Sequence, residues 1–450
     1  MSAQTDDTRY SAIHLLRSGC SPREVAVELE RSLSWVYKWR ARFREEGWAG
    51  LQERSRAPHT QPRRLPECVR QAIRRVRSQL EVEADQPNHL SYIGAPAIQS
   101  RLRRERLPQI PSLSSIEREL RAAGMTRPRR SSPPAQDVYP HLRPQKTHTL
   151  VQVDIYPRYL PGGQAVSCFN AIDVVSRYPT GRQYTHRRSQ EATAFLVHTW
   201  QTLGIPIYTQ VDNDGCFSGG FTHPYVLGRV VRLALLVGTQ LVFSPFYHPA
   251  SNGCVERFHQ DYGREVWQKH HLETIEAVHE HSPPFFDRYR CSEHHSELRG
   301  RSPAAVHATG PVVKWPQDFR PPDPLPLTEG KVHFMRQVDA GQGIKILNVC
   351  WAVPQAQPGQ GVWATLELRQ SGAKLRVFDA APDALQRRCL AEHPFPLKEP
   401  VVPLHPQFRR SPPAPKRRWV TASITAMAAL FHDVVKAYSL VKVPVRSTMS

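Results

Sequence analysis

The run Phe243-Ser-Pro-Phe-Tyr-His-Pro-Ala-Ser-Asn-Gly-Cys-Val-Glu-Arg-Phe-His259 decides how the rest of the chain is read. Pro245 and Pro249 forbid a continuous helix before them, and Ser251, Asn252 and Gly253 are capping and turn residues. After them Val255, Phe258, Tyr262 and Val266 recur at helical spacing, so one face is expected to pack. Glu256 and Arg257 fall beside that face, in the first turn. A carboxylate there is favoured by the exposed amides and the helix dipole, and is also a competent metal ligand.

Upstream, two aspartates stand on strand-like runs of β-branched residues. Asp154 closes Leu150-Val-Gln-Val-Asp154, and Asp212 follows Ile207-Tyr-Thr-Gln-Val211 and opens the Asn213-Asp-Gly215 turn. The neighbouring acid Asp214 competes with Asp212 for any ligand role; Asp212 is preferred because it directly follows the strand. Asp173, on the run Ile172-Asp-Val-Val-Ser-Arg-Tyr178, has the look of an ordinary turn acid.

Two strand-borne aspartates followed by Ser-Pro-Phe-Tyr-His-Pro-Ala-Ser-Asn-Gly-Cys-Val-Glu on a helix resemble the catalytic core of the DDE transposases and integrases of bacterial insertion sequences, a retroviral-integrase-like core. The resemblance implies an α/β ribonuclease-H-like fold with a mixed sheet. It also implies that Asp154, Asp212 and Glu256 are the catalytic residues and the metal ligands. The expected ions are two Mg2+, with Mn2+ as a substitute. The implied activity is metal-dependent DNA cleavage and strand transfer; the partners would be the inverted-repeat ends of an element, the target DNA, and at least one more copy of the chain. Two features depart from the pattern: Asp214, and a longer second spacing whose surplus lies around Gly219 to Gly228. Chemically, three unpaired carboxylates repel one another and raise at least one pKa, so such a cluster normally holds cations. Two ions about 4 Å apart activate a water or a DNA 3′-hydroxyl and stabilise the leaving oxygen of an in-line displacement. Oxygen ligands suit magnesium or manganese.

Composition agrees with a polyanionic partner: 60 Lys+Arg against 40 Asp+Glu give a formal charge of +20 over 450 residues. The 8 cysteines are scattered without a Cys-x-x-Cys pair, which fits reduced thiols rather than a disulfide framework or a zinc ribbon. No signal-like segment and no apolar run of about 20 residues is seen, so the expected location is cytoplasmic, at a prokaryotic nucleoid, with no membrane partner.

The chain divides into six expected segments. Residues 8–58 read as a helix-turn-helix DNA-binding domain: an apolar-faced helix from Tyr10 to Arg17, a second from Pro22 to Leu29 capped by Ser21, and a third begun by a Ser34 cap. The third helix would offer Ser34, Tyr37, Lys38 and Arg42 to a major groove. Residues 65–125 read as a second helical DNA-binding unit, with Arg101 and Arg104 facing DNA and Ser112 or Ser114 capping its last helix. A basic linker covers 126–147 and the catalytic core 148–310, where Arg257 joins the DNA-facing set and His248, Asn252 and His259 are further candidates to support the acids or face DNA. His279, His281, Cys291, His294 and His295 match no zinc spacing. Short alternating runs over 328–398 suggest a small β-barrel. Residues 403–450 read as a basic, proline-rich tether ending in one helix. Two rival readings keep the same modules: a DNA-binding regulator with an inactive ribonuclease-H-like scaffold, and a nuclease without strand transfer.

Overall fold

Ser21 and Ser32 each turn a hydroxyl onto a backbone amide three residues ahead, Glu24 N at 3.3 Å and Trp35 N at 3.2 Å, and these caps start two of the first three helices. The computed structural model describes residues 2–53, 65–126, 139–219, 223–246 and 248–410. It divides into two units, Met1–Pro66 and Glu67–Ser450. The first contains α1 (Ser2–Arg17), α2 (Pro22–Glu28) and α3 (Leu33–Glu46). Glu24 returns its carboxylate to the Ser21 amide, completing a capping box. The α3 cap is Ser32 rather than Ser34, because Ser32 is the residue with extended backbone whose hydroxyl meets an orphan amide. Ala12, Ile13, Val25, Val36, Trp39 and Leu51 are buried inside the unit. Arg9 lies over the Trp39 ring at 4.4 Å and donates to Leu51 O at 3.1 Å.

The second unit opens with α4 (Glu67–Ala84), α5 (Ala95–Arg104) and α6 (Leu113–Ala122), the last capped by Ser112. Glu119, nearly buried, holds Arg70 and Arg74 and so welds α6 to α4. There follow β1 (Leu150–Tyr159), β2 (Ala165–Asp173), β3 (Pro179–Tyr184), α7 (Ser189–Leu203), β4 (Tyr208–Val211), α8 (Gly215–Ser218), α9 (Arg229–Leu236), β5 (Gln240–Phe243) and α10 (Gly253–Tyr262). A π-helical turn, Gly263–Gln268, continues α10, and α11 (Ile275–Cys291) and α12 (Pro303–His307) complete the core's helices. The carboxyl-terminal strands are β6 (Gly330–Gln337), β7 (Gly343–Ile346), β8 (Val349–Ala352), β9 (Gly361–Arg369), β10 (Gly372–Phe378) and β11 (Cys389–Phe395).

β1, β2 and β3 form an antiparallel meander, while β1, β4 and β5 are parallel, so the core has the mixed sheet expected of it. Alternation along β1 and β2 sends Val151, Val153, Ile155, Phe169 and Ala171 to a face covered by α7 and α9. Cys168 and Ile172 point the other way and pack with Val255, Phe258, Tyr262 and Val266, the apolar stripe of α10 and its π turn, and with Phe285, Phe286 and Tyr289 of α11. Gly181 on β3 is required here: a Cβ would lie 2.4 Å from both Asn170 Oδ1 and Phe286 Cζ.

The expected separate β-barrel is replaced by something else. β6 pairs parallel with β5 through Leu241↔Val332, Val242↔His333 and Phe243↔Phe334, and β9, β10 and β11 add to it in antiparallel order. The result is one nine-stranded sheet, β11-β10-β9-β6-β5-β4-β1-β2-β3, with β7 and β8 as a separate hairpin. The physical reason is burial: Val332, Phe334, Ala364, Leu366 and Leu375 belong to the same apolar cluster as Val151 and Phe169, so the strands have no core of their own. The expected terminal helix, and residues 127–138 of the linker, lie outside the described residues.

The shared sheet makes a prediction. Trp363 on β9 is fully buried and donates to His333 Nδ1 at 3.0 Å, and His333 Nε2 reaches Gln240 Oε1 at 2.7 Å. Trp363→Ala should destabilise the whole second unit by about 3–5 kcal/mol. In calorimetry that unit should still unfold in one transition, moved to lower temperature; a separate transition for 328–398, shifted alone, would contradict the shared sheet.

Candidate active site

The site begins with a repeated tripeptide. Gln152-Val153-Asp154 on β1 and Gln210-Val211-Asp212 at the end of β4 lie on adjacent parallel strands, and the register pairs Gln152 with Gln210. Two residues further on, the same register places Asp154 beside Asp212, on the face that α10 covers.

Both glutamines are nearly buried and grip the start of α10. Gln152 Oε1 accepts from the amides of Cys254 at 3.1 Å and Val255 at 3.3 Å, while its Nε2 donates to Ser251 O at 3.0 Å. Gln210 Nε2 donates to Ser251 O at 2.8 Å, Asn252 Oδ1 at 2.6 Å and Ser244 Oγ at 3.1 Å. Ser244 Oγ also donates to Asn252 Oδ1 at 2.9 Å. The helix amides that lack intrahelical partners are thus satisfied by a strand side chain. Glu256, one residue beyond Val255, is thereby held close enough to Asp154 for its charge to act there.

Asp154 feels both other carboxyls. Burial pushes Asp154 up to about 7, and the charges of Asp212 and Glu256 push the same way. Burial raises Asp212 to about 6 against the nearby Arg187 guanidinium, and burial also raises Glu256. Asp214 is otherwise engaged: its carboxylate caps α8 by accepting from Cys216 N at 2.9 Å and ion-pairs with Arg187. These bonds leave Asp212 as the acid that faces Asp154.

Around Asp154 lie polar groups without protein partners. Asn170, its cross-strand neighbour on β2, is fully buried with neither amide atom satisfied. His259 on α10 sits with Nδ1 3.7 Å from Asp154 Oδ2 and stacks on Tyr156 at 4.9 Å; its Nε2 has no partner. Burial, with Arg158 nearby, drops His259 to about 3 and keeps it neutral at ordinary pH. Orphaned polar atoms and unneutralised carboxyls are what a site built around bound cations and their waters leaves behind when protein atoms alone are considered. An all-oxygen set of three carboxylates fits magnesium or manganese.

Among the described residues, the group whose ligating atoms all lie within 4.8 Å of one another is His148, Asp173 and His307, not the acid trio. That cluster is closed by the protein itself. The His148 ring nitrogens lie 3.1 Å from Leu203 O and 3.0 Å from His307 O, and the His307 ring lies 3.1 Å from Leu203 O and 3.0 Å from Ser176 Oγ. Asp173 accepts from the amides of His148, Val175 and Ser176 and from the Ser176 hydroxyl. It is a turn acid, and the cluster ties β2, α7 and α12 together.

The other expected site residues divide. Ser34, Tyr37 and Lys38 are exposed on α3, whereas Arg42 is half-buried with its guanidinium 4.9 Å from the Trp39 ring centroid. Arg104 is exposed, but Arg101 is bound to Glu83 at 3.1 and 2.5 Å. Arg257 is exposed on α10, 2.8 Å from Gln260 Oε1. His248 reaches Ser251 Oγ at 2.9 Å. Sequence reasoning passed over Gln152, Gln210, Ser244, Asn170 and Arg187; the repeated Gln-Val-Asp was the available signal for the first two.

The second helical unit is fastened to this core. Glu265, in the π turn and almost fully buried, accepts from Ser91 N at 3.0 Å and pairs with Arg264 and Lys269 at 2.9 Å each. Burial pushes its carboxyl up, yet these donors hold it below the ordinary value. Tyr92 stacks on His294 at 3.6 Å.

Comparison with known proteins gives two findings. Residues 9–71 match the winged helix-turn helix family. The chain is also similar to solved integrase structures. The HTLV-2 integrase catalytic core domain in complex with magnesium is 13% identical, with TM-score 0.29 over 37% of this chain and 99% of that one. The integrase of a simian T-cell lymphotropic virus intasome, solved in complex with a PP2A regulatory subunit, is 15% identical, with TM-score 0.32 over 68% and 99%. The catalytic core domain of BIV integrase is 16% identical, with TM-score 0.27 over 36% and 93%. No described helix is long and apolar enough to cross a membrane.

The acid pair sets a pH dependence. Between about pH 4 and 7 the folded chain keeps protons on Asp154 and Asp212 that the unfolded chain has released, so this pair lowers stability as pH rises through that window. Without divalent cations, Asp154→Asn should melt several degrees above the natural chain at pH 8. The gap should shrink toward pH 5; a gap that is absent or grows on acidification would refute the raised carboxyl.

Proposed function

We propose that this chain is a DDE transposase: it binds the inverted-repeat ends of an insertion element, cleaves DNA with divalent metal, and transfers the freed strand to target DNA. The observation that carries the reading is the in-register Gln-Val-Asp pair with the Glu256 charge acting on Asp154. Asp154, Asp212 and Glu256 would hold two Mg2+ ions, with Mn2+ able to replace them. Bound there, the ions supply a Lewis acid for the scissile phosphate and lower the pKa of the attacking water or 3′-hydroxyl. Gln152 and Gln210 keep the three carboxylates in a fixed arrangement, which is the positioning that phosphoryl transfer chiefly needs. The Arg187 cation stands beside the acids and would steady the phosphate backbone on entry.

End recognition falls to α3, through Ser34, Tyr37 and Lys38, with Arg42 braced on Trp39. In the second helical unit Arg104 remains a DNA-facing residue, whereas Arg101 first has to leave Glu83. Synapsis of two ends requires at least a dimer. The organisation proposed for the chain is helix-turn-helix 8–58, second helical unit 65–125, linker 126–147, catalytic core 148–310, appended strands 328–398 and basic tail 403–450, working in the cytoplasm on the nucleoid.

The test is an assay of purified protein on its element's end DNA with and without Mg2+. Glu256→Gln and Asp154→Asn should lower nicking and joining at least 100-fold while leaving end binding within about twofold. Lys38→Ala should weaken end binding and reduce its salt dependence by about one ion. Tight binding with no cutting under any metal would favour the regulator with an inactive scaffold, and nicking without joined products a nuclease.

A further inference from the structure

Arg336 is the most conspicuous buried charge outside the acid site. It lies on β6, is 7% exposed, and its hydrogen-bond acceptors are all neutral oxygens. Nε donates to Lys345 O at 3.1 Å, Nη1 to Met335 O at 2.8 Å and Ser244 O at 3.2 Å, and Nη2 to Asn213 Oδ1 at 2.9 Å. The guanidinium also lies 4.6 Å from the Phe246 ring centroid and 5.4 Å from that of Phe334. Burial lowers its pKa to about 9.

The partners give the arrangement its meaning. Asn213 directly follows Asp212, and its Nδ2 donates to the same Ser244 carbonyl at 2.5 Å. Ser244 directly follows β5 and starts the loop that leads to Asn252 and α10, and its hydroxyl is part of the glutamine network. Phe246, 43% exposed, is a residue of that loop. One guanidinium therefore ties the segment carrying Asp212 to the segment leading to Glu256, from a strand far along the chain.

Fold stability alone does not call for this residue. A buried cation facing only neutral oxygens pays a large desolvation penalty, which its four hydrogen bonds offset only in part. We infer that Arg336 is a positioning residue of the acid site: it locks the Asp212 turn to the loop before α10 and so fixes the distance between Asp212 and Glu256. The carboxyl-terminal strands are then part of the active site's framework, through a side chain that touches no reacting atom. The inference rests on the function proposed above for its consequence in activity, but its structural half can be measured independently.

The experiment compares Arg336→Met, which keeps the stem and removes charge and donors, with Arg336→Lys, which keeps the charge. Two readouts are taken: amide hydrogen exchange over the full chain, and Mg2+-dependent cleavage of end DNA. In Arg336→Met, exchange in segments 208–219 and 248–256 should quicken at least tenfold while the chain keeps a cooperative melt within a few degrees of the natural one. Cleavage should fall at least tenfold with end binding unchanged, and Arg336→Lys should recover part of both. Unchanged local exchange and full cleavage in a folded Arg336→Met chain would overturn the inference. So would loss of the fold in both variants, which would make Arg336 a stability residue. If the natural chain cuts no DNA with any metal, the proposed function fails, and the exchange data still decide the lock.

Discussion

The register between β1 and β4 is the constraint on which the site depends. Side chains on a strand alternate with period two, so a slip of β4 by one residue would turn Gln210 and Asp212 to the opposite face, away from Gln152 and Asp154. In the observed register one amide side chain from each strand reaches the helix start, and one carboxyl from each strand lies beyond it. α10 is not merely packed on the sheet by Val255, Phe258 and Tyr262; its first turn is hydrogen-bonded to it. The apolar stripe fixes which face of the helix is down, and the glutamines fix where along the sheet it begins.

Carboxyls withdrawn from water in the second unit differ in how far neighbouring cations offset their burial. Glu119 and Glu265 are deep but each meets two basic side chains, and both carboxyls are held below their ordinary value despite burial. Asp154 and Asp212 are half-buried, have no cation at hydrogen-bond distance among the described residues, and are raised. Asp261 is raised as well, although Arg264 lies 2.8 Å away, because burial outweighs its partners. Glu119 and Glu265 fasten helices; α4 to α6 and the junction at Ser91 rely on them.

Much of this was legible in the chain. The strand-turn-helix pattern around Asp154, Asp212 and Glu256 is local, and periodicity located all three elements within a few residues. The Ser21 cap and the stripe from Val255 to Val266 were equally local. The error at Ser34 arose because two serines only two residues apart offer the same chemistry, and only backbone conformation distinguishes them. The barrel was misjudged for a different reason: alternation shows that 331–378 forms strands but says nothing about which edge they join, and β6 finds its partner in β5, far upstream. Gln152, Gln210 and Arg336 were missed because their roles exist only between segments. Pro283 and Pro284 sit inside α11, where local rules argue against helix, yet Phe285, Phe286 and Tyr289 bury enough surface against the sheet to keep it continuous.

The parallel pairing of β5 with β6 has a consequence for how the protein is made. Strand β5 ends at residue 243 and β6 begins at 330, so 87 residues must be synthesised before the inner strand gains its second neighbour. At a synthesis rate of about 5–20 residues per second, that is on the order of 4–17 s during which Leu241, Val242 and Phe243 present a bare apolar edge on the ribosome. A nascent chain of that length already contains all three acids. It has neither Arg336 nor the strands that sheathe the edge, so translation itself orders events: the acids emerge first, and their framework closes last.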